Sequence, residues 1–289
     1  LTFFDDKAMT QAEDTTVTSA PQVGDQTISV NVELSGPEWS LRTTLLVPKE
    51  PIAPEKMVPV FFSFADAVVG SAAENVERTG EKVSCKMGCG ACCRQLVPIS
   101  ETEARWIHDV VERLPSVRRT EIRTRFAEAR RRLSEAGLVD RLLHPETWAE
   151  GEGWSIAMSY FHLGIACPFL EDESCSIHAD RPVKCREYLV TSPPEHCAQP
   201  TANTIKMVDL PFRVWTAMAR LDNDSPTEGK IPWVPLVLAL EWTDNQPQRP
   251  VPSCGHEVLR RFFEILSRKS IVGGQSSVVE SHTDLGERK

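Results

Sequence analysis

With 289 residues, 41% hydrophobic and 25% charged, the chain can bury a substantial core without disulfide staples, so its nine cysteines need another explanation. The formal net charge of −9 argues against broad nucleic-acid binding and against docking on an anionic membrane. No apolar run approaches the length of a bilayer span; the longest covers 234–240.

Residues 1–25 are polar and aperiodic and read as a disordered N-terminal tail. The tail begins at Leu1 and shows neither the basic start nor the apolar stretch of a secretory signal, which predicts a cytoplasmic protein with reduced thiols. Ile28, Val30, Val32 and Leu34 then alternate with polar residues, Ser35 to Glu38 turn, and Trp39, Leu41, Leu45 and Val47 resume the alternation. This pattern predicts a β-hairpin with one buried face. Two strands alone are marginal, so the hairpin must pack on helices. Beyond a link with Pro48, Pro51 and Pro54, Phe61, Phe64, Ala65, Val68, Val69, Ala72 and Val76 recur at helical spacing over 60–78, and Gly80 is placed to stop that helix. Hairpin and helix form a unit over 26–80 that packs on the main domain.

Ser100 and Glu103 form a capping-box signature for a helix with Ala104, Ile107, Val111 and Leu114 inward. Pro115 ends it, and Ser116 caps a second helix with Ile122, Phe126, Ala129 and Leu133 inward. The arginines of that helix, Arg118, Arg119, Arg123, Arg125 and 130–132, alternate with Glu121, Glu128 and Glu135, which reads as a solvated helix face. Residues 151–164 look irregular. Amphipathic helices are predicted over 211–221 and 254–268, forming a helical extension over 201–269, before a disordered tail over 270–289. The fold class is mainly α with a small N-terminal β-hairpin, built around an irregular, cysteine-rich, metal-bound loop core over 81–200.

Eight cysteines fall into two groups flanking the helical hairpin: Cys85, Cys89, Cys92 and Cys93, then Cys167, Cys175, Cys185 and Cys197. Short spacings on tight turns bring several thiolates together at low entropic cost, and Gly88 and Gly90 permit positive φ and close backbone approach to sulfur. Cys85, Cys89 and Cys92 share one turn and can converge; a fourth thiolate is then expected from Cys167, Cys175 or Cys185. Neighbouring Cys92 and Cys93 point in different directions, which puts Cys93 either behind the first ligands or in a second site. All-sulfur sites suit both zinc and iron–sulfur clusters. The Cys85-x3-Cys89-x2-Cys92 spacing is also that of radical S-adenosylmethionine enzymes, which favours iron, although no strand–helix series follows to build their barrel. An iron–sulfur cluster, of the 4Fe-4S type, is the expected cofactor, with Zn2+ as the alternative. Lys82, Lys86, Arg94, Arg181 and Arg186 lie close enough in sequence to balance its negative charge, Arg181 and Arg186 equally suit an anionic substrate, and Tyr188 could donate a hydrogen bond. His178 and His196 read as loop histidines, and Cys254 as a structural thiol.

Together, Cys85-x3-Cys89-x2-Cys92-Cys93, Cys167-Pro168-Phe169-Leu170, Cys175, Ile177, Arg181-Pro182, Cys185-Arg186 and Tyr188 resemble the YkgJ-type cysteine-cluster family over roughly 81–200. That resemblance implies a zinc- or iron-chelating domain; some members are labelled flagellin lysine N-methylases or Fe–S oxidoreductases. No nucleotide fingerprint, phosphate loop, His-Glu-x-x-His or serine elbow accompanies the cysteines, so no reaction class follows from the residues themselves. The expected function is metal binding for redox chemistry or for modification of a protein or small-molecule substrate, with no nucleic acid and no membrane span. Against it stand a non-catalytic zinc module that mediates partner interaction and a metal carrier or sensor.

Overall fold

A computed structural model describes residues 26–36, 39–201, 203–222, 231–246 and 250–269. The predicted tails and the turn residues Pro37 and Glu38 lie outside the described residues. In chain order the elements are β1 (Thr27–Gly36), β2 (Trp39–Pro48), β3 (Pro51–Ile52), α1 (Val58–Arg78), β4 (Pro98–Ile99), α2 (Glu101–Glu112), α3 (Ser116–Glu135), α4 (Val139–Leu143) and α5 (Glu152–His162). They continue with β5 (Leu170–Glu171), β6 (Ser174–Cys175), α6 (Val183–Glu187), α7 (Pro194–Ala198), α8 (Val214–Leu221), β7 (Val234–Pro235), α9 (Ala239–Asp244), β8 (Ser253–Cys254) and α10 (Gly255–Lys269). The protein is mainly α-helical with a small N-terminal antiparallel hairpin.

The hairpin pairs Thr27 with Pro48 through to Gly36 with Trp39. Its alternation turns Val32, Leu34, Leu41, Leu45 and Val47 into the core, while Glu33–Arg42 and Asn31–Thr44 pair on the open face. That apolar face meets α1, α8 and α10. There Phe61, Phe64, Phe262 and Phe263 stack edge to face or tilted, with ring centroids 4.8–5.7 Å apart. A second cluster joins α2 and α3 to Phe169, Ile177 and the segment around β7 and α9. A third lies between α3, α4 and α5. Two-residue ladders stitch distant parts of the chain: β3 to β8, and β4 to β7.

Three sequence expectations need correction. The continuous helix Pro54–Arg78 is, by length and composition, apolar enough to cross a bilayer; Asp66 and Glu74 interrupt its apolar run and hide that in the sequence. Half of its most apolar stretch is buried against the hairpin, α8 and α10, as in a core helix. Residues 152–162 form a helix and not an irregular stretch. It is bracketed by Gly151 (φ 77°) and Gly164 (φ 60°), and only Ile156 and Tyr160 are buried on it, too few to print a helical period. Ser116 is the first residue of α3, not its cap; Pro115 takes that position. The arginine-rich face of α3 is heavily ion-paired: Arg123 to Glu112, Arg130 to Glu241, and Arg131 to Glu128 and Glu135.

At the junction of hairpin and α10, a Cβ on Gly255 would stand 2.7 Å from the Pro48 carbonyl oxygen and 2.8 Å from Val47 Cγ1. Gly255→Ala is therefore expected to destabilise the protein by about 1–3 kcal/mol, because backbone must move to admit the methyl group. Chemical denaturation of the variant checks this; an unchanged midpoint would mean that hairpin and α10 can separate freely.

Candidate metal centre

Four pieces of chain meet around the cysteines. The first enters through Ser84, whose N–H and hydroxyl donate to the Val190 and Thr191 carbonyls at 2.8 and 3.1 Å. It turns at Gly88 (φ 81°) and ends in a 3-10 turn over Ala91–Arg94. Gly88 thus has the positive φ expected of it. Gly90 does not, with φ −93°; its role is close approach, since a Cβ there would lie 2.6 Å from Glu173 Oε2 and 2.7 Å from Leu170 Cδ1.

The second piece is the β5–β6 hairpin. Its two loop residues, Asp172 (φ 46°) and Glu173 (φ 58°), have the left-handed backbone that the tightest hairpin turns require. For Glu this conformation is strained, and the side chain is held by a two-point ion pair to Arg94, at 2.6 and 3.0 Å. Arg118 and Arg125 of α3 both grip Glu171, and Arg125 also donates to the Pro168 carbonyl at 3.2 Å. The Cys167 N–H donates to the Cys93 carbonyl at 2.7 Å, joining the two cysteine groups through the backbone.

The third piece, α6, carries Cys185 between pinned ends. Its first N–H, of Val183, donates to Glu103 Oε1 at 2.7 Å; the other Glu103 oxygen closes the α2 capping box on Ser100. Glu187 at the far end accepts from the Trp215 N–H at 3.2 Å, and Lys184 lies 5.1 Å from the Trp215 ring centre. Burial raises both carboxyls, Glu187 to about 7. The Arg186 guanidinium sits over Phe62 at 4.0 Å and pairs with both Asp66 oxygens at 2.7 and 2.8 Å. It also donates to the Ala179 and Arg181 carbonyls, so its donors are spent fastening this loop to α1.

The fourth piece, α7, buries Cys197, whose carbonyl accepts from Gln95 at 3.3 Å.

All nine cysteines are free thiols. Cys93, Cys167, Cys175 and Cys185 form a mutually interacting set, each pair close enough for its charges to repel. Cys85, Cys89 and Cys197 form another such set, and Cys92 lies between the two, near Cys93 and Cys185 on one side and Cys85 on the other. Packing follows the same division: Cys85 and Cys92 lie against Tyr188, Val190 and Cys197, whereas Cys167 and Cys175 lie against the α2–α3 core. Cys197 thus stands beside Cys85 and Cys89, and the neighbouring Cys92 and Cys93 thiols link the two sets. Among the described residues, no three Cys, His, Asp or Glu side chains converge closely enough to hold one ion.

Burial pushes Cys167 up to about 12 and Cys197 to about 11, and raises Cys85, Cys175 and Cys185. A hydrogen bond from the Cys92 thiol, assisted by Arg94 and Arg181, lowers Cys93 to about 7; the same bond and burial keep Cys92 protonated. Two buried donors face these sulfurs without a hydrogen-bond partner. Arg181 Nε is one, and its charge reaches Cys85, Cys93 and Cys175. The other is the Tyr188 hydroxyl, beside the Cys197 thiol and the Gln95 amide but making a full bond to neither. Unsatisfied buried donors are costly, and thiolate sulfur would satisfy both. The donor set therefore fits a thiophilic metal, zinc or iron.

The bystanders are accounted for. His178 is exposed, His196 Nδ1 is bonded to the Thr204 carbonyl oxygen at 2.7 Å, and Cys254 pairs opposite Pro51 in the β3–β8 ladder. Glu103 and Glu173 are the residues that sequence reasoning missed. The capping box was a visible signal for Glu103, but its bond to α6 crosses between distant segments.

Residues 84–201 match the family model CxxCxxCC, described as a "putative zinc- or iron-chelating domain". Comparison with curated proteins and with solved structures gives no match.

Glu103→Ala leaves the buried N–H groups of Ser100 and Val183 unsatisfied and should cost about 2–4 kcal/mol. It should also free α6, so that Cys185 is alkylated faster than in the unmutated protein, by mass spectrometry of protein stripped of metal. Equal alkylation rates would mean that Glu103 does not hold α6.

Proposed function

We propose, for a chain whose residues 84–201 match the CxxCxxCC family model, that these cysteines hold an iron–sulfur centre used in redox chemistry or in modifying a protein or small-molecule substrate. The observation that carries this reading is the pair of unpartnered buried donors, Arg181 Nε and Tyr188 Oη, facing a field of free thiols. Two such donors and a permanent positive charge suit a site that becomes strongly negative when loaded. The Cys85-x3-Cys89-x2-Cys92 spacing, used elsewhere for four-iron clusters, favours iron. Nine free thiols agree with a reducing, cytoplasmic setting.

Cys85, Cys89, Cys92, Cys93, Cys167, Cys175, Cys185 and Cys197 are the ligand pool. When bound, an iron–sulfur centre supplies one-electron transfer. Arg181 offsets the charge of the thiolates, the Tyr188 hydroxyl donates toward Cys197, and Arg186 holds the loop that carries Arg181 against α1. One observation favours a second reading, a structural zinc module: Cys167 and Cys175 flank a tight two-residue hairpin of the kind that can knit a domain around zinc.

Anaerobically purified protein should be brown and contain iron together with acid-labile sulfide. Stoichiometric zinc without iron or sulfide, in protein never exposed to oxygen, would replace the iron reading with the zinc one.

Because burial holds most of the ligand thiols protonated at neutral pH, metal uptake must expel their protons. Affinity should therefore rise with pH across the neutral range, about tenfold per pH unit for each proton released, and weaken as pH falls. Dye-monitored proton release during Zn2+ titration of metal-stripped protein checks this; uptake without proton release would mean that the thiols are not the ligands.

A further inference from the structure

Where α1, α2, α8 and α10 meet, they enclose a cavity of about 430 Å3, within the size range of small-molecule pockets, and no cysteine lines it. Phe61, Met218, Leu221 and Val258 form its apolar wall. Its polar side is the first turn of α2, with Glu101, Thr102 and Arg105, faced by Asp222 just past the end of α8. Arg261 of α10 and Val251, both exposed, mark the mouth. The charges inside are unevenly satisfied. Both Asp222 oxygens accept from Thr102, one from its N–H at 3.0 Å and the other from its hydroxyl. Burial raises the Glu101 and Asp222 carboxyls, Asp222 to about 7, which withdraws part of the cavity's negative charge at neutral pH. Arg105 is different. It is only 6% exposed, its guanidinium lies 4.9 Å from the Trp242 ring centre, and its ion pair to Glu101 spans 3.8 Å, too long for a hydrogen bond. Among the described residues nothing closer offers it an acceptor. A buried charge so loosely paired is costly, and an anion inside the cavity would relieve it.

We propose that this cavity binds a small carboxylic acid with an apolar body, its carboxylate on Arg105 and its body against Phe61, Met218 and Leu221. The site is separate from the thiols, and the proposal holds whatever metal they carry. Stacking on Trp242 fixes the plane of the guanidinium, whose forked donors match a carboxylate at two points. A cationic ligand finds no free partner here, because Asp222 is engaged by Thr102 and Glu101 faces Arg105. A dianion such as a phosphate monoester would be repelled by Glu101 about twice as strongly as a monoanion, which favours a single negative charge. Arg261 adds positive charge at the mouth, on the route of entry. The walls come from four helices far apart in the chain, so an occupant that touches them binds the folded protein alone and stabilises it.

Octanoate serves as the probe, compared with octanamide, which has the same body without the charge, and with octylammonium, which reverses it. Isothermal titration calorimetry of the full chain should show one octanoate per chain, bound about tenfold to a hundredfold tighter than octanamide, as a charge-assisted contact provides. Octanoate should also raise the melting temperature more than octanamide does. Arg105→Met keeps an apolar stem and removes the guanidinium; it should bring octanoate down to the affinity of octanamide and leave octanamide unchanged. If that variant fails to fold, Val251→Glu takes its place, since Val251 is 80% exposed and a charge there disturbs no packing. It should weaken octanoate about twofold at low salt and leave octanamide unaffected. Equal affinity for octanoate and octanamide, tighter binding of octylammonium, octanoate binding that neither variant alters, or no binding of any probe at millimolar concentration would each overturn the proposal.

Discussion

The meeting of the Gly90–Arg94 turn with the β5–β6 hairpin is the contact on which the rest of the site depends. Two groups of cysteines separated by a helical hairpin must be brought together, and closing so long a loop costs chain entropy before any contact repays it. Three short-range features hold the closure: the Cys167 N–H on the Cys93 carbonyl, the two-point Arg94–Glu173 pair, and the absence of a side chain at Gly90, without which Glu173 and Leu170 could not come so near. Arg94 and Glu173 are both partly exposed, so their ion pair adds little energy by itself. Its value is geometric, since it holds a residue in a backbone conformation that Glu seldom adopts.

Around that contact the fold spends buried charge on position. Glu103, Glu187, Lys184 and Arg186 are all buried and all belong to α6 or bond to it. A five-residue helix has almost no stability of its own, so Cys185 stays in place only because α1, α2 and α8 each hold a part of α6. Breaking any one of these ties leaves an unsatisfied polar group in the interior, which is why such positions tolerate substitution poorly. The same physics distinguishes Arg186 from Arg181. One arginine has all its work in the scaffold, and the other keeps a donor in reserve beside the thiols.

Much of the fold was legible because its signals are local. The alternation of Val32, Leu34, Leu41, Leu45 and Val47 announces a hairpin. The spacing of Ile122, Phe126, Ala129 and Leu133 announces α3, and Ser100 with Glu103 announces the start of α2; in each case those side chains are buried as expected. Helix α5 escaped notice because it buries only two apolar side chains and starts beside glycines. The two-residue ladders β3–β8 and β4–β7 could not be read at all, since pairing between segments so far apart leaves no trace in either.

For the cysteines the boundary falls between composition and partnership. The sequence by itself determined the donor chemistry: thiols on short spacings, a glycine at position 88 where a positive φ is needed, and arginines within the motif. Spacing along a turn constrains sulfurs a few residues apart, because few backbone bonds lie between them. Only the tertiary structure decided that Cys197 stands with Cys85 and Cys89, that the Cys93 carbonyl meets the Cys167 N–H, and that Arg186 is committed to Asp66. Those relations depend on how α2, α3 and α6 pack, and packing is settled by the whole core, not by the residues that neighbour each thiol in the chain.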